Sequence, residues 1–509
     1  MLAKVLSAAL IGLDAQLIEV EVDIAAQGLP SFTIVGLPDK AVEEAKERVR
    51  SAIRNSGADF PPKRITVNLA PADIPKEGPS YDLPIALGIL IASGQLTQHS
   101  ENGLFTGELS LDGRIRTVSG VLSYALLAKE KRIASIYVPS ANTPEAAVVK
   151  SLLVYPLETL KDLFLHLSGQ KPLSPAAYLS LTDLNEESIF EYDYKDVYGQ
   201  EQAKRALEIA AAGGHNVLLK GPPGAGKTLL ARTLPSILPT LTFDEMLEVT
   251  KIYSISGQLQ GKIMTIRPFR APHHTTSLVG IIGGSSNPRP GEITLAHRGI
   301  LFLDEFPEFP RSILESLRQP IEDGIVSIAR ANGKVTFPAK CMLIAAQNPC
   351  PCGFFGDPKH HCNCSPSQIL RYRKKVSGPI LDRIDIHLDV PAVKVEKLTL
   401  SEKSAGENST TVRKRVQNAR DRQQKRYKNT PFGTNAELTS KAIKQFCALS
   451  PASQQLLLQA VEKLSLSART YHRMIKLART IADLADDQDI LPQHIAESLQ
   501  YRPKIADTL

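Results

Sequence analysis

Residues Asn216-Val217-Leu218-Leu219-Lys220-Gly221-Pro222-Pro223-Gly224-Ala225-Gly226-Lys227-Thr228 decide the fold, because an apolar strand runs directly into a glycine-rich turn that opens a helical pattern through 229–234. Strand, loop and helix in that order are the context a Walker A phosphate loop requires. The glycines of 221–228 let backbone N–H groups turn toward phosphate oxygens; Lys227 reaches the outer phosphates and the Thr228 hydroxyl binds Mg²⁺. The ligands implied are ATP and Mg²⁺. The matched context leaves little room for a chance glycine-rich turn.

Ile300-Leu301-Phe302-Leu303-Asp304-Glu305 is an apolar strand ending in two carboxylates. Asp304 at the strand tip suits a hydrated Mg²⁺, and Glu305 would orient or deprotonate the attacking water. Short apolar runs at 217–219, Ile300–Leu303, 342–346 and 384–388 alternate with helical patterns, as buried parallel strands do. The expected fold class is therefore α/β, a P-loop parallel sheet. After Pro391 the pattern becomes helix only, with periodic apolar residues through 454–464, 467–484 and 493–499, which reads as a helical lid. Residues 1–167 read as a separate mixed α/β domain. A linker of Ser, Pro, Gly and acidic residues follows at 168–191, then an ATPase core at 192–395 and a basic connector with lid at 396–509.

At 509 residues the chain is too long for one core. Its 43% hydrophobic and 22% charged residues exclude a disordered chain, which would need less apolar content and more net charge. The N-terminus lacks signal-peptide form, and the longest apolar stretch, 83–92, falls short of the about 20 residues that cross a bilayer. A cytoplasmic protein with no membrane partner is expected. The net charge of +7 is modest, but basic residues concentrate in the C-terminal half, which suits a polyanion without establishing one.

Further motifs narrow the class. Val197-Tyr198-Gly199-Gln200 resembles the segment of AAA+ proteins that packs on adenine, and Ala345-Ala346-Gln347-Asn348-Pro349 resembles sensor 1, whose Asn348 positions the lytic water. Ser377-Gly378-Pro379-Ile380-Leu381-Asp382-Arg383-Ile384-Asp385 resembles the arginine-finger segment of the Mg-chelatase and MCM branch. Arg469, with Arg473 as runner-up, stands where that branch keeps its sensor 2 arginine. A finger working in trans implies a homo-oligomeric ring, with a hexamer as the expected closure.

Together with Arg267-Pro268-Phe269-Arg270-Ala271-Pro272-His273-His274-Thr275 and Arg298-Gly299-Ile300, these elements resemble the ComM/YifB group of Mg-chelatase-like AAA+ proteins over nearly the whole chain. The resemblance implies a ring helicase promoting branch migration in natural transformation, acting on single-stranded and branched DNA. The first domain resembles the Lon proteolytic domain at Lys76-Glu77-Gly78-Pro79-Ser80 and Thr106-Gly107-Glu108-Leu109-Ser110-Leu111-Asp112-Gly113, with Ser80 at the nucleophile position. Leu122 stands where Lon keeps its lysine, and Lys129 and Lys131 lie too far on, so the fold is read as reused without proteolysis.

Within an insertion at 350–364, Cys350-Pro351-Cys352 and Cys362-Asn363-Cys364 offer four thiolates to a structural Zn²⁺; His360 and His361 are alternative ligands, and free thiols are the competing reading. Arg330-Ala331-Asn332-Gly333-Lys334 reads as an Asn-Gly hairpin tip with a base on each side. Arg330 and Lys334 are candidate DNA phosphate contacts, since the hairpin of related rings projects into the pore. The stretch 280–292 looks like a second pore loop. His273 and His274 lack Cys or carboxylate partners at metal spacing and read as structural. The basic stretch 413–428 fits either a DNA-facing helix or a solvated strut. Three other functions compete: a chelatase motor that remodels a protein partner, disfavoured because such subunits resemble only the ATPase part; an ATP-dependent protease, disfavoured by Leu122; and a non-motor scaffold, disfavoured by the intact Lys227, Glu305 and Arg383.

Overall fold

Alternating apolar residues over Leu2–Ile11 and Asp14–Ile24 pair as an antiparallel hairpin, from Leu2 opposite Asp23 to Ile11 opposite Asp14, with Gly12 at φ 63° in the turn. In the computed structural model, residues 2–97, 102–180, 190–259, 261–284, 288–330, 333–357, 360–392, 407–464 and 466–503 are described. The chain divides into two compact units, one of 1–186 with 243–265 and one of 187–242 with 266–509.

The first unit is built on a seven-stranded sheet in the order Ser31–Val35, Arg64–Ala70, Asp14–Ile24, Leu2–Ile11, Gly103–Phe105, Ser135–Pro139, Leu153–Leu157. Helix Lys40–Asn55 starts where the Asp39 carboxylate accepts the Val42 N–H at 2.8 Å, and it buries Val42, Ala45, Val49, Ala52 and Ile53 along one face. Helix Asp82–Ala92 is buried on every side, as its continuous apolar run dictates. Gly88 permits its approach to the sheet, since a Cβ there would stand 2.5 Å from Val22 Cγ2.

Residues 243–265 lie inside the stretch read from sequence as one contiguous core, yet they pack in the first unit. Helix Phe243–Ile255 sets Phe243 and Leu247 against a core that includes Val121, Leu122 and Ala125. Its Ser254 hydroxyl donates to the buried Glu145 carboxylate and accepts the Gly120 N–H at 2.9 Å, while Asn142 Nδ2 donates to Glu145 at 2.7 Å. Burial is the main cause that raises the Glu145 pKa, with those donors opposing it.

The second unit carries a five-stranded, all-parallel sheet in the order Phe269–Arg270, Ile300–Leu303, Met342–Gln347, Val217–Lys220, Ile386–Asp389. Its inner strands are apolar on both faces, as a parallel sheet with covered faces requires. Helices Glu201–Gly213, Ser409–Arg426, Pro451–Leu464 and Ala468–Leu484 contribute to the same core. The chain is an α/β P-loop protein with a helical C-terminal region. Among the described residues no helix is long and apolar enough to cross a membrane.

Ser254→Ala would leave the buried Glu145 carboxylate and the Gly120 N–H short of a partner. The expected cost is about 1–3 kcal/mol, read as a lowered denaturant midpoint of the first unit's unfolding.

Candidate active site

The phosphate loop leaves the C-terminal end of strand Val217–Lys220, next to the ends of strands Ile300–Leu303 and Met342–Gln347, in the crevice where parallel sheets bind ligands. A Cβ at Gly221 would fall 2.1 Å from the Val390 carbonyl oxygen, so only glycine fits there. Gly224 and Gly226 take φ of 74° and 84°, which brings the chain into helix Lys227–Thr233.

Lys227 is buried, and its Nζ donates to the Gly221 and Pro222 carbonyls at 2.8 Å each and to Asn348 Oδ1 at 3.1 Å. Burial lowers its pKa, and the Asp304 carboxylate opposes that shift. Thr228 Oγ1 donates to Asp304 Oδ2 at 2.8 Å, so the two expected Mg²⁺ ligands adjoin. The Asp304 Oδ1 atom accepts the Glu305 N–H at 2.9 Å. Glu305 holds φ at 52°, in the left-handed region, which turns the chain sharply after the strand. Gln200, from the segment expected beside adenine, donates to the Pro391 carbonyl at 2.6 Å and the Ala225 carbonyl at 3.4 Å.

Sequence reasoning passed over one residue. His274 Nδ1 lies 3.2 Å from Glu305 Oε2, a carboxylate just past the end of strand Ile300–Leu303. Phe309 meets its ring edge-on at 6.4 Å. The signal was available only as an unassigned pair of histidines after strand Phe269–Arg270.

Arg383 and Arg469 form a second cluster at the opposite end of the sheet. Asp385 and Ile386 N–H groups both donate to the Asn216 carbonyl, at the start of the strand whose far end bears the phosphate loop. Arg383 pairs with Glu322 and donates to the Arg318 carbonyl at 3.1 Å and the Pro379 carbonyl at 2.5 Å. Arg469 lies 3.6 Å from Asp382 and 4.0 Å from Glu322, beside Arg383. Arg473, the runner-up, is buried and donates to the Ile384 carbonyl at 2.7 Å.

The four cysteine sulfurs lie within 4.8 Å of one another. Cys350, Cys352 and Cys362 are separated by 3.4, 3.6 and 3.7 Å. Ligands on a tetrahedron of ~2.3 Å Zn–S bonds stand about 3.8 Å apart, whereas a disulfide bond is about 2.05 Å long. The Phe354 backbone N–H is the main cause that holds Cys352 down to about 6. His360 turns to Asp357 at 3.5 Å and stands outside the thiol set. The cluster follows Asn348 directly, and a Cβ at its Gly353 would lie 2.5 Å from Pro223 Cδ of the phosphate loop.

Strands Ile325–Arg330 and Gly333–Pro338 form the expected hairpin, with Arg330 paired to Gly333. Facing apolar pairs, Val326 with Phe337 and Ile328 with Val335, set that register. The tip residues Ala331 and Asn332 and the Arg330 side chain lie outside the described residues; Lys334 is exposed. Of the 280–292 stretch, 283–284 pairs with 289–290 and Glu292 binds Arg270 at 2.6 and 2.7 Å, while 285–287 lies outside the described residues.

Arginines of the basic helix Ser409–Arg426 are largely engaged within the unit. Arg413 donates to the Ser236 carbonyl, Arg415 pairs with Glu208 and Glu407, Arg422 with Asp486, and Arg426 with Asp483. In the first unit, Ser80 is buried beside the Tyr124 hydroxyl, and burial pushes that phenol up to about 12. Leu122 is buried, and the Lys76 ammonium donates to the Pro71 carbonyl.

Residues 193–398 match the family model "Magnesium chelatase, subunit ChlI", and 406–502 match that subunit's C-terminal model. Competence protein ComM of Haemophilus influenzae is 45% identical over 99% of this chain and 98% of its own length. The chain belongs to the ComM/YifB family of Mg-chelatase-like AAA+ ATPases. The protein YifB of Salmonella typhimurium is 44% identical over 98% of this chain and 97% of its own length. DNA replication licensing factor mcm7-B of Xenopus laevis is 26% identical over 38% of this chain and 24% of its own length. A model described as "Subunit ChlI of Mg-chelatase" also matches 20–142. The first unit therefore does not set this family apart from chelatase subunits in the way the sequence alone suggested.

His274→Ala removes the ring that fixes Glu305. Steady-state ATP turnover is expected to give a kcat lowered about tenfold, part of what a positioned general base contributes, with nucleotide affinity unchanged.

Proposed function

We propose that this chain is an ATP-hydrolysing ring motor acting on DNA, a helicase that moves single strands and branched junctions and so promotes branch migration during recombination of incoming DNA. The observation that carries the ring is the separation of Arg383 from its own phosphate loop. From Asn216 to Gly221 a strand rises roughly 16 Å at ~3.3 Å per residue, and Arg383 belongs to the far end. An arginine so placed serves a neighbour's nucleotide, and a closed homo-oligomer, a hexamer, fills every such seam. Arg469, sharing Glu322 and Asp382 with that end, acts beside it.

At each seam Lys227 binds the outer phosphates, Asn348 orients the lytic water and Glu305 accepts its proton. Thr228 and Asp304 would hold Mg²⁺, which would supply neutralising charge to the phosphate oxygens. Cys350, Cys352, Cys362 and Cys364 would hold a structural Zn²⁺, which would brace the Asn348 strand end and, through Gly353, the loop at Pro223. The exposed Lys334, with Arg330, meets DNA phosphates, where contact releases counterions and needs no base readout. The printed names of the Haemophilus relative, a competence protein, and the Xenopus relative, a DNA replication factor, support a nucleic-acid substrate.

A chelatase-type motor acting on a protein partner is the second reading, favoured by the descriptions of all three matching family models. A protease reading lacks a base: the Tyr124 phenol beside Ser80 holds its proton far above neutral pH.

ATP turnover is expected to rise with single-stranded or branched DNA at fixed salt; turnover indifferent to DNA favours the chelatase reading. Arg383→Ala should cut kcat at least about 10³-fold with nucleotide binding nearly intact, and full activity in that variant would remove the ring. Elemental analysis should find close to one zinc per chain, and a strong chelator should lower the melting temperature of the second unit.

A further inference from the structure

Arg383 is bonded to one short helix at two points. Its Nη2 pairs with the Glu322 carboxylate and its Nε donates to the Arg318 carbonyl at 3.1 Å, both on helix Arg318–Asp323. That helix is capped by Gly324 at φ 68°, and strand Ile325–Arg330 begins at the next residue. The return strand is tied to the same cap, because the Ala339 N–H donates to the Gly324 carbonyl at 2.7 Å. Helix and hairpin thus share a base without a spacer, and Arg383 grips that base.

We propose that Glu322 is a positioning residue that couples nucleotide at a seam to movement of the hairpin, a reading that rests on Arg383 acting in trans. With no phosphate to meet, Arg383 holds helix Arg318–Asp323 through Glu322 and the Arg318 carbonyl. A neighbour's nucleotide offers the guanidinium several anionic oxygens in place of one carboxylate. Glu322 is half exposed, and an ion pair of that kind is weak and readily exchanged. Arg383 then leaves the helix, and the helix with its hairpin is released. Glu322 is not left bare: Arg469 already stands 4.0 Å from its other oxygen and takes up the charge. Hydrolysis and phosphate loss return Arg383 to the helix, so each turnover grips and frees one hairpin.

The test uses the assembled full-length protein and two readouts. The first is the ratio of ATP turnover with and without a single-stranded oligonucleotide, for wild type, Glu322→Gln and Glu315→Gln. Glu315 pairs with the Arg318 side chain at 2.6 Å but makes none of the Arg383 contacts, so its variant controls for a merely structural loss. The ratio should fall to near one in Glu322→Gln and stay at the wild-type value in Glu315→Gln. The second readout, free of DNA, is hydrogen exchange in peptides covering 318–338. A non-hydrolysable ATP analogue should raise exchange there in wild type, and Glu322→Gln should show the raised exchange before nucleotide is added. An analogue that leaves 318–338 unchanged in wild type, or a Glu322→Gln ring that keeps the full ratio, overturns the coupling. Failure of the underlying reading looks different: wild type unresponsive to DNA, or Arg383→Ala fully active, while the exchange measurement still decides whether Glu322 controls the hairpin.

Discussion

The short strand Val217–Lys220 is pinned at both ends by main-chain bonds, and the chemistry of the second unit follows from that. At its C-terminal end the Gly221 N–H donates to the Gln347 carbonyl, and the glycine lies too close to Val390 for any side chain. At its start the Asn216 carbonyl takes two N–H groups from 385–386, and Asn216 Nδ2 donates to the Arg383 carbonyl at 2.8 Å. A parallel ladder has a fixed rise per residue, so phosphate loop and arginine cluster stand at a fixed separation at opposite ends of the strands of one sheet. One end gathers Lys227, Thr228, Asp304, Glu305 and Asn348. The other gathers Arg383, Arg469 and Arg473 around Glu322 and Asp382.

Charge is distributed by the same economy of partners. The basic helix Ser409–Arg426 would look like a polyanion surface from composition, but its arginines meet Glu208, Glu407, Asp483 and Asp486 and two main-chain carbonyls. Asp483 is fully buried and takes Arg426 and Arg479 together with Asn435, so both guanidiniums are engaged within the lid. Exposed base remains at Lys334, on a hairpin held by apolar cross-strand pairs. Net charge alone is thus a poor guide to where an anion binds, because guanidinium groups serve folding wherever carboxylates and carbonyls are in reach.

Packing is close around both the cysteine cluster and Ser80 of the first unit. Between Asn348 and helix Pro366–Arg373, the four thiols draw the chain into a knot that touches Pro223, and the buried Tyr372 hydroxyl receives the Asn348 backbone N–H. In the first unit the turn at Gly120 is bonded by Ser254 from the 243–265 excursion. Ser80 is left facing a phenol that does not ionise near neutral pH.

Local chemistry was legible from residue order. A glycine loop between strand and helix, two carboxylates ending an apolar run, and paired C-x-C spacings each specify a ligand class within a few residues, so the α/β class, the phosphate loop and the thiol set could be read directly. What depends on separation in space could not. His274 meets Glu305 across neighbouring strands, Arg469 joins Arg383 through Glu322, and 243–265 leaves the ATPase core for the first unit. The hairpin register, with Arg330 opposite Gly333, follows the facing apolar pairs Val326–Phe337 and Ile328–Val335. Sequence determines which groups are available and how the chain turns locally; only tertiary packing decides which distant groups meet, since those contacts depend on strand order and burial rather than on spacing along the chain.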